Sequence, residues 1–229
     1  AVTSGTAALR VALATLNLKP KDEIIAPAFT FVATIEAIVE SGAQPIIAEI
    51  DKTLSLCSKD VLKKITKNTK AVIVVHMLGV PSELDRIKKI CKKNKIKLIE
   101  DTAWGLGGSY KNKKLGTHGE IGAFSFDFAK TLTTGEGGML CFKSKSIFKK
   151  ASAWHDHGHE NNPKLPRGED TKTIPGFNYR MTELQAVIGK VQLKKVNYIL
   201  QQNFKRYQIL KKYLSKYFDL RKVQINSTP

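Results

Sequence analysis

Lys130 ends the segment Gly122-Ala-Phe-Ser-Phe-Asp-Phe-Ala-Lys130, and a glycine run, Gly135-Glu-Gly-Gly138, follows it. A lysine among aromatic side chains loses hydration, and a desolvated amine becomes a nucleophile for a carbonyl carbon. Three further features belong with it: Ser4-Gly5-Thr6 at a helix start, the aromatic Phe31, and Asp101 at a strand end. Taken singly, each has an ordinary role as cap, core residue, surface turn or solvated lysine. Together they meet the needs of pyridoxal 5'-phosphate. A helix N-terminus holds the phosphate, a carboxylate keeps the pyridinium nitrogen protonated, an aromatic face covers the ring, and the lysine forms the Schiff base.

Other chemistries find less support. There is no G-x-x-x-x-G-K-[ST] phosphate loop, and Gly105-Leu-Gly107-Gly108-Ser-Tyr110 lacks the last glycine of a dinucleotide fingerprint. The alternating His155-Asp-His157-Gly-His159 could turn imidazoles to one side for a metal, but no cysteine or clear acidic partner stands at ligand spacing. A loop hydrogen-bonding role fits it better, and no metal is expected. No serine stands in a G-x-S-x-G context, so a hydrolase elbow is unsupported.

The elements that must position these residues follow from the pattern between Thr6 and Glu100. Apolar helices at Thr6 to Asn17 and Thr30 to Glu40 alternate with short strands at Glu23 to Ala26 and Pro45 to Ala48. Ala71 to Val75 is a continuous β-branched strand, a helix from Pro81-Ser82 to Asn94 follows, and Ile96 to Ile99 is the next strand. Continuous apolar strands separated by helices predict a mixed, mostly parallel sheet with helices on both faces, whose ligands sit outside the carboxyl ends of the strands. Those ends carry Pro27-Ala28-Phe29, His76 and Glu100-Asp101. A helix from Ser144 to about Trp154, a capping box Thr182-x-x-Gln185 opening a helix to about Leu200, and a basic helix to about Tyr217 complete the chain.

Composition sets the outer bounds. The 229 residues carry a formal charge of +18, yet are 42% hydrophobic and 25% charged, as in an ordinary globular protein. The lysines lie along most of the chain, as on solvated helix faces, with no aromatic or motif support for nucleic-acid or membrane binding. No apolar run approaches a membrane span, and Cys57, Cys91 and Cys141 are odd in number and far apart, which predicts a reduced, cytoplasmic chain.

The sequence resembles the DegT/DnrJ/StrS sugar aminotransferases, a branch of the fold-type I pyridoxal-phosphate enzymes, from about Val2 to about Leu200. The shared segments are Ser4-Gly-Thr-Ala-Ala-Leu9, Pro27-Ala-Phe-Thr-Phe-Val-Ala-Thr34, Gly42-Ala-Gln-Pro45, Glu100-Asp-Thr-Ala103, Phe124-Ser-Phe126 with Lys130, Gly135-Glu-Gly-Gly138 and Gly176-Phe-Asn-Tyr-Arg-Met181. The resemblance implies that Lys130 is the Schiff-base lysine and proton-transfer base, that Asp101 pairs with the pyridine nitrogen, and that Phe31 stacks on the ring. It implies phosphate contacts from Gly5, Thr6 and Ser125, and from Asn178 of a neighbouring subunit, hence a homodimer with shared sites. Trp104 departs from the family, which often has a polar residue near the cofactor hydroxyl there. Related dehydratases carry histidine in place of the lysine, and Lys130 argues against that branch.

The implied activity is transfer of an amino group, from glutamate as donor, to a keto sugar for amino-sugar or cell-surface polysaccharide biosynthesis. Ala48-Glu-Ile-Asp51 and Asp156-His-Gly-His159 look most like the 8-amino-8-deoxy-octulosonate transaminases, whereas a nucleotide-linked keto sugar is the commoner acceptor. A non-catalytic regulatory or interaction protein on the same fold and a basic nucleic-acid binder are the alternatives. Residues 1–180 are expected to form the cofactor-binding large domain without its N-terminal segment. Residues 181–229 are expected to lead into a truncated small domain. A fragment of this kind is expected to fray at Ser4 and to leave Val187, Val191 and Val196 uncovered.

Overall fold

The structure, a computed structural model, describes residues 1–228. In chain order the first half runs α1 (Gly5–Ala14), β1 (Glu23–Pro27), α2 (Val32–Glu40), β2 (Gln44–Ala48), α3 (Ser58–Lys64), β3 (Thr69–Val75), α4 (Leu84–Lys93) and β4 (Lys97–Asp101). A two-strand excursion, β5 (Ser109–Tyr110) and β6 (Lys113–Lys114), precedes β7 (Ile121–Ser125), β8 (Gly138–Phe142), α5 (Lys145–Trp154), α6 (Glu183–Leu214) and β9 (Ser227–Thr228). The central sheet has the order β2-β1-β3-β4-β7-β8, parallel throughout except for β8, which returns antiparallel to β7.

Successive strand residues point to opposite faces, so each strand feeds two cores. Ile24, Ala26, Ile73, Val75 and Ile99 pack with Leu9 and Leu13 of α1 and Ile38 of α2. Ile25, Val72, Val74 and Leu98 pack with Val61 of α3 and Leu84 and Ile87 of α4. The expected α/β fold with helices on both faces is therefore present.

Three local readings change. α3, which no apolar periodicity announced, is a seven-residue helix. The helix expected from Pro81-Ser82 begins at Leu84. The two helices expected after Thr182 are one, because no glycine or proline interrupts the pattern between Leu200 and Leu214. Its start does carry the expected capping box. Val187 and Val191 are exposed on it and Val196 is half-buried.

The start of the chain is not frayed. Val2 is buried and exchanges two hydrogen bonds with Gly138, which tether α1 to β8, and the Thr3 N–H donates to the Tyr179 carbonyl in the segment before α6. At the other end β9 pairs with β5, and Arg221 donates to the carbonyls of Thr53 and Met77. No helix among the described residues is long and apolar enough to cross a membrane.

Candidate active site

At the carboxyl ends of β3, β4 and β7 lies a cavity of about 420 Å³. Gly5, Thr6, Phe31, Asp101, Trp104, Ser125 and Lys130 all line it, although they come from separate parts of the chain. Asn178 does not. It is exposed, bridges to Asp156 in the loop after α5, and accepts from the Arg180 N–H at 3.4 Å.

α1 begins at the cavity. The Ser4 hydroxyl caps it by accepting from the Ala7 N–H at 3.0 Å, so serine here serves the helix itself. The N–H groups of Gly5 and Thr6, in the first turn, have no acceptor within the helix. A Cβ on Gly5 would stand 2.7 Å from the Ser125 Cβ and 3.0 Å from its Oγ. Glycine is required because the end of β7 presses the Ser125 hydroxyl against that first turn. A hydroxyl beside unpaired N–H groups at the positive end of a helix dipole is a seat for an anion, and phosphate fits it.

Asp101, 5% exposed, closes β4. Its Oδ2 accepts from the Thr34 hydroxyl at 2.8 Å and its Oδ1 from the Ala103 N–H at 3.1 Å. Burial pushes the carboxyl above its ordinary range, against those hydrogen bonds and the attraction of His76 and Lys130. Such a group gains from a cation placed beside it. Thr34 closes the shared segment Pro27–Thr34, but nothing in the sequence assigns it to Asp101; its other neighbour is Thr30, one turn earlier, whose hydroxyl lies 2.7 Å from its own.

Glu100 and His76 turn away from the cavity. Adjacent strand residues face opposite sides, so Glu100 points into the other layer. There it meets His76 Nε2 at 2.8 Å and accepts from the N–H groups of Gly116, His118 and Gly119. Burial pushes this carboxyl up, and these hydrogen bonds outweigh it and hold it below its ordinary range. The convergence expected of all the strand ends thus holds for Asp101 and not for His76 or Glu100.

Lys130 rides on the loop 126–137 that joins β7 to β8. The loop is pinned by the Thr134 N–H on the Phe126 carbonyl, by the Lys130 N–H on the Asp127 carbonyl, and by Gly135 at φ +80°. Burial lowers the pKa of the Lys130 amine, with Asp127 and Asp101 opposing from a distance. Its Nζ stands 3.6 Å from the Trp104 ring centroid. Phe31, 63% exposed, stands on the lip as the residue before α2.

The histidine loop builds structure. His155 Nδ1 lies 2.5 Å from the Ser152 carbonyl and His159 Nδ1 lies 3.3 Å from Asp170. Asp156 accepts from Arg167 and Arg180. No cluster of three or more potential metal ligands occurs among the described residues.

Residues 1–228 match the DegT/DnrJ/EryC1/StrS aminotransferase family. The chain is 38% identical over 201 residues to a GDP-perosamine synthase of Vibrio cholerae, covering 87% of this chain and 53% of that protein. An aminotransferase structure from Psychrobacter cryohalolentis superposes with a TM-score of 0.89 at 33% identity, over 94% of this chain and 56% of that one. A structure of E. coli GDP-4-keto-6-deoxy-D-mannose-3-dehydratase with bound hydrated PLP gives 0.88 at 28% identity, over 97% and 63%. The chain spans a little over half the length of the curated relatives it matches. It belongs to the DegT/DnrJ/EryC1/StrS aminotransferase family, whose cofactor, pyridoxal phosphate, suits the anion seat, the buried carboxylate and the lysine of the cavity.

Proposed function

We propose that this family member carries the cofactor-binding part of a cytoplasmic aminotransferase that passes an amino group from glutamate to a keto sugar. The observation that carries the reading is the meeting of Asp101, Lys130 and the Gly5–Ser125 junction at one cavity. Pyridoxal phosphate, when bound, supplies an electron sink that allows the Cα–H bond of an amino acid to break.

The chain's own residues bind, orient and move the proton. The N–H groups of Gly5 and Thr6 and the Ser125 hydroxyl would hold the phosphate. Asp101, kept in place by Thr34 and Ala103, would keep the pyridine nitrogen protonated, and Phe31 would pack against the ring. Lys130 would supply the amine that binds the cofactor aldehyde and would serve as the base for the substrate proton. Burial, which lowers its pKa, raises the fraction of free base available for that task. A lysine in this place favours amino transfer over the dehydration named for the E. coli neighbour.

The acceptor is read as a keto sugar carried on a nucleotide diphosphate, because several relatives are named for the nucleotide-linked amino sugar GDP-perosamine. The eight-carbon keto-sugar acid rests on Ala48-Glu-Ile-Asp51 and the Asp156 loop. The carboxylate of Asp156 is already taken up by two arginines. A homodimer in which Asn178 reaches the partner's phosphate accounts for that residue's place outside the cavity. Residues 1–180 are read as the large domain and 181–229 as the passage towards a small one.

The test joins labelling to turnover. Borohydride reduction of the chain with pyridoxal phosphate should fix the cofactor on Lys130, and label on another lysine, or none, would overturn the site. The full-length gene product in its aminated form is then offered a GDP-linked 4-keto sugar and an eight-carbon keto-sugar acid. Amination of the first supports the acceptor read here, amination of the second alone replaces it, and amination of neither rejects keto-sugar transfer.

A further inference from the structure

Trp104 lines the cavity on the turn directly after Asp101. Asp101 itself places it. The Ala103 N–H donates to Asp101 Oδ1, and the Gly105 N–H closes the turn on the Thr102 carbonyl at 3.0 Å. A Cβ on Gly105 would come within 3.0 Å of the His76 Cβ, so the turn is packed down on the end of β3. The backbone that carries the indole is therefore fixed to the end of the sheet.

The lysine is held differently. Its side chain has four rotatable bonds, and Asp127 and Asp101 act on its amine only through space. The short contact of Nζ is the indole face, 3.6 Å from the centroid. Tryptophan presents the strongest negative face of the aromatic side chains, and a cation within about 6 Å of its centroid is attracted to it.

We propose that Trp104 is a positioning residue that seats the Lys130 amine as an ammonium ion against its indole face, and so sets the pH at which that amine becomes available to a carbonyl compound. Burial favours the neutral form of the amine, while Asp127, Asp101 and the aromatic face favour the charged one. A leucine in place of the indole keeps apolar surface and removes the face, so the ammonium loses support and its midpoint falls. The expected fall is about half to one pH unit. Phenylalanine retains a weaker face and gives an intermediate value. The inference rests on Lys130 being the reactive amine only for its consequence in cofactor loading. The experiment reads the amine in the cofactor-free chain, and it can fail while the proposed function stands.

The cofactor-free chain is labelled with trace acetic anhydride across a pH series, and acetylation of Lys130 is followed by peptide mass spectrometry with exposed Lys194 as internal reference. The Lys130 midpoint should fall in Trp104→Leu and fall less in Trp104→Phe, with Lys194 unmoved. A midpoint in Trp104→Leu equal to or above the wild type, or Phe behaving as Leu, overturns the inference. A second measurement serves if the leucine variant does not fold. The chain has two tryptophans, so Trp154→Phe leaves Trp104 as the sole reporter. Its emission should titrate at the Lys130 midpoint, and Lys130→Met should abolish the titration. Emission that is flat across that range, or that still titrates in Lys130→Met, overturns it equally.

Discussion

Asp101 combines a buried carboxylate with hydrogen bonds that satisfy only part of its acceptor capacity. Asp101→Asn keeps the shape and much of the bonding to Thr34, and removes the charge that a protonated ring nitrogen needs. Turnover of the full-length enzyme should fall roughly 100-fold or more, the scale seen when a preorganised electrostatic partner is deleted, while the melting temperature changes little. Near-normal turnover would make Asp101 a structural strand-end residue. Asp156 is the opposite case. Its hydrogen bond with Arg167 is the largest influence and, with Arg180, outweighs burial and holds the carboxyl far below its ordinary range. A carboxyl depressed in the folded state adds stability above its unfolded pKa, about 3.9, and loses it as pH falls towards the folded value. Asp156→Asn should therefore unfold more easily than wild type near pH 7. The gap between the two denaturation midpoints should narrow below about pH 4. A gap independent of pH would show that the arginine pairs contribute nothing through charge.

The junction of α1 and β7 is the element on which the anion seat depends. Gly5→Ala places a methyl group 2.7 Å from the Ser125 Cβ, and overpacking of this kind costs about 1–3 kcal/mol. Phosphate retention should weaken together with stability. Ser125→Gly removes the two nearest opposing atoms and leaves only the backbone Cα at 3.3 Å, so the double variant should recover most of the stability without recovering cofactor affinity. Denaturant melts of the four proteins in this cycle measure the coupling. Additive losses would mean that the helix and strand do not meet as described. The same style of packing sets the long helix. A Cβ on Gly189 of α6 would touch the Thr134 side chain at 3.0 Å, and one on Gly107 would overlap Leu200. α6 thus lies over both the loop of Lys130 and the turn after Trp104.

On the scale of the whole molecule, a site completed by Asn178 of a second copy makes a prediction that no single chain can mimic. Full-length Lys130→Ala and Asn178→Ala proteins, each poorly active, should regain activity when mixed, because one site of each hybrid dimer keeps both residues. No recovery with hybrid formation demonstrated would place Asn178 in a purely local role.

The alternation of apolar strands and helices, the cap at Ser4, the capping box at Thr182 and the candidacy of Lys130, Asp101 and Gly5, which line one cavity, were all legible in the sequence. These depend on local periodicity, local hydrogen bonding and residue chemistry, all of which are written along the chain. The tether of α1 at Val2 is not legible in the sequence, because its partners, Gly138 and Tyr179, lie far along the chain. The same holds for Thr34 on Asp101, for the Trp104 face under Lys130, and for His76 facing Glu100. Such contacts are set by strand order and by the side to which each strand residue turns, and neither is a property of neighbouring residues in sequence.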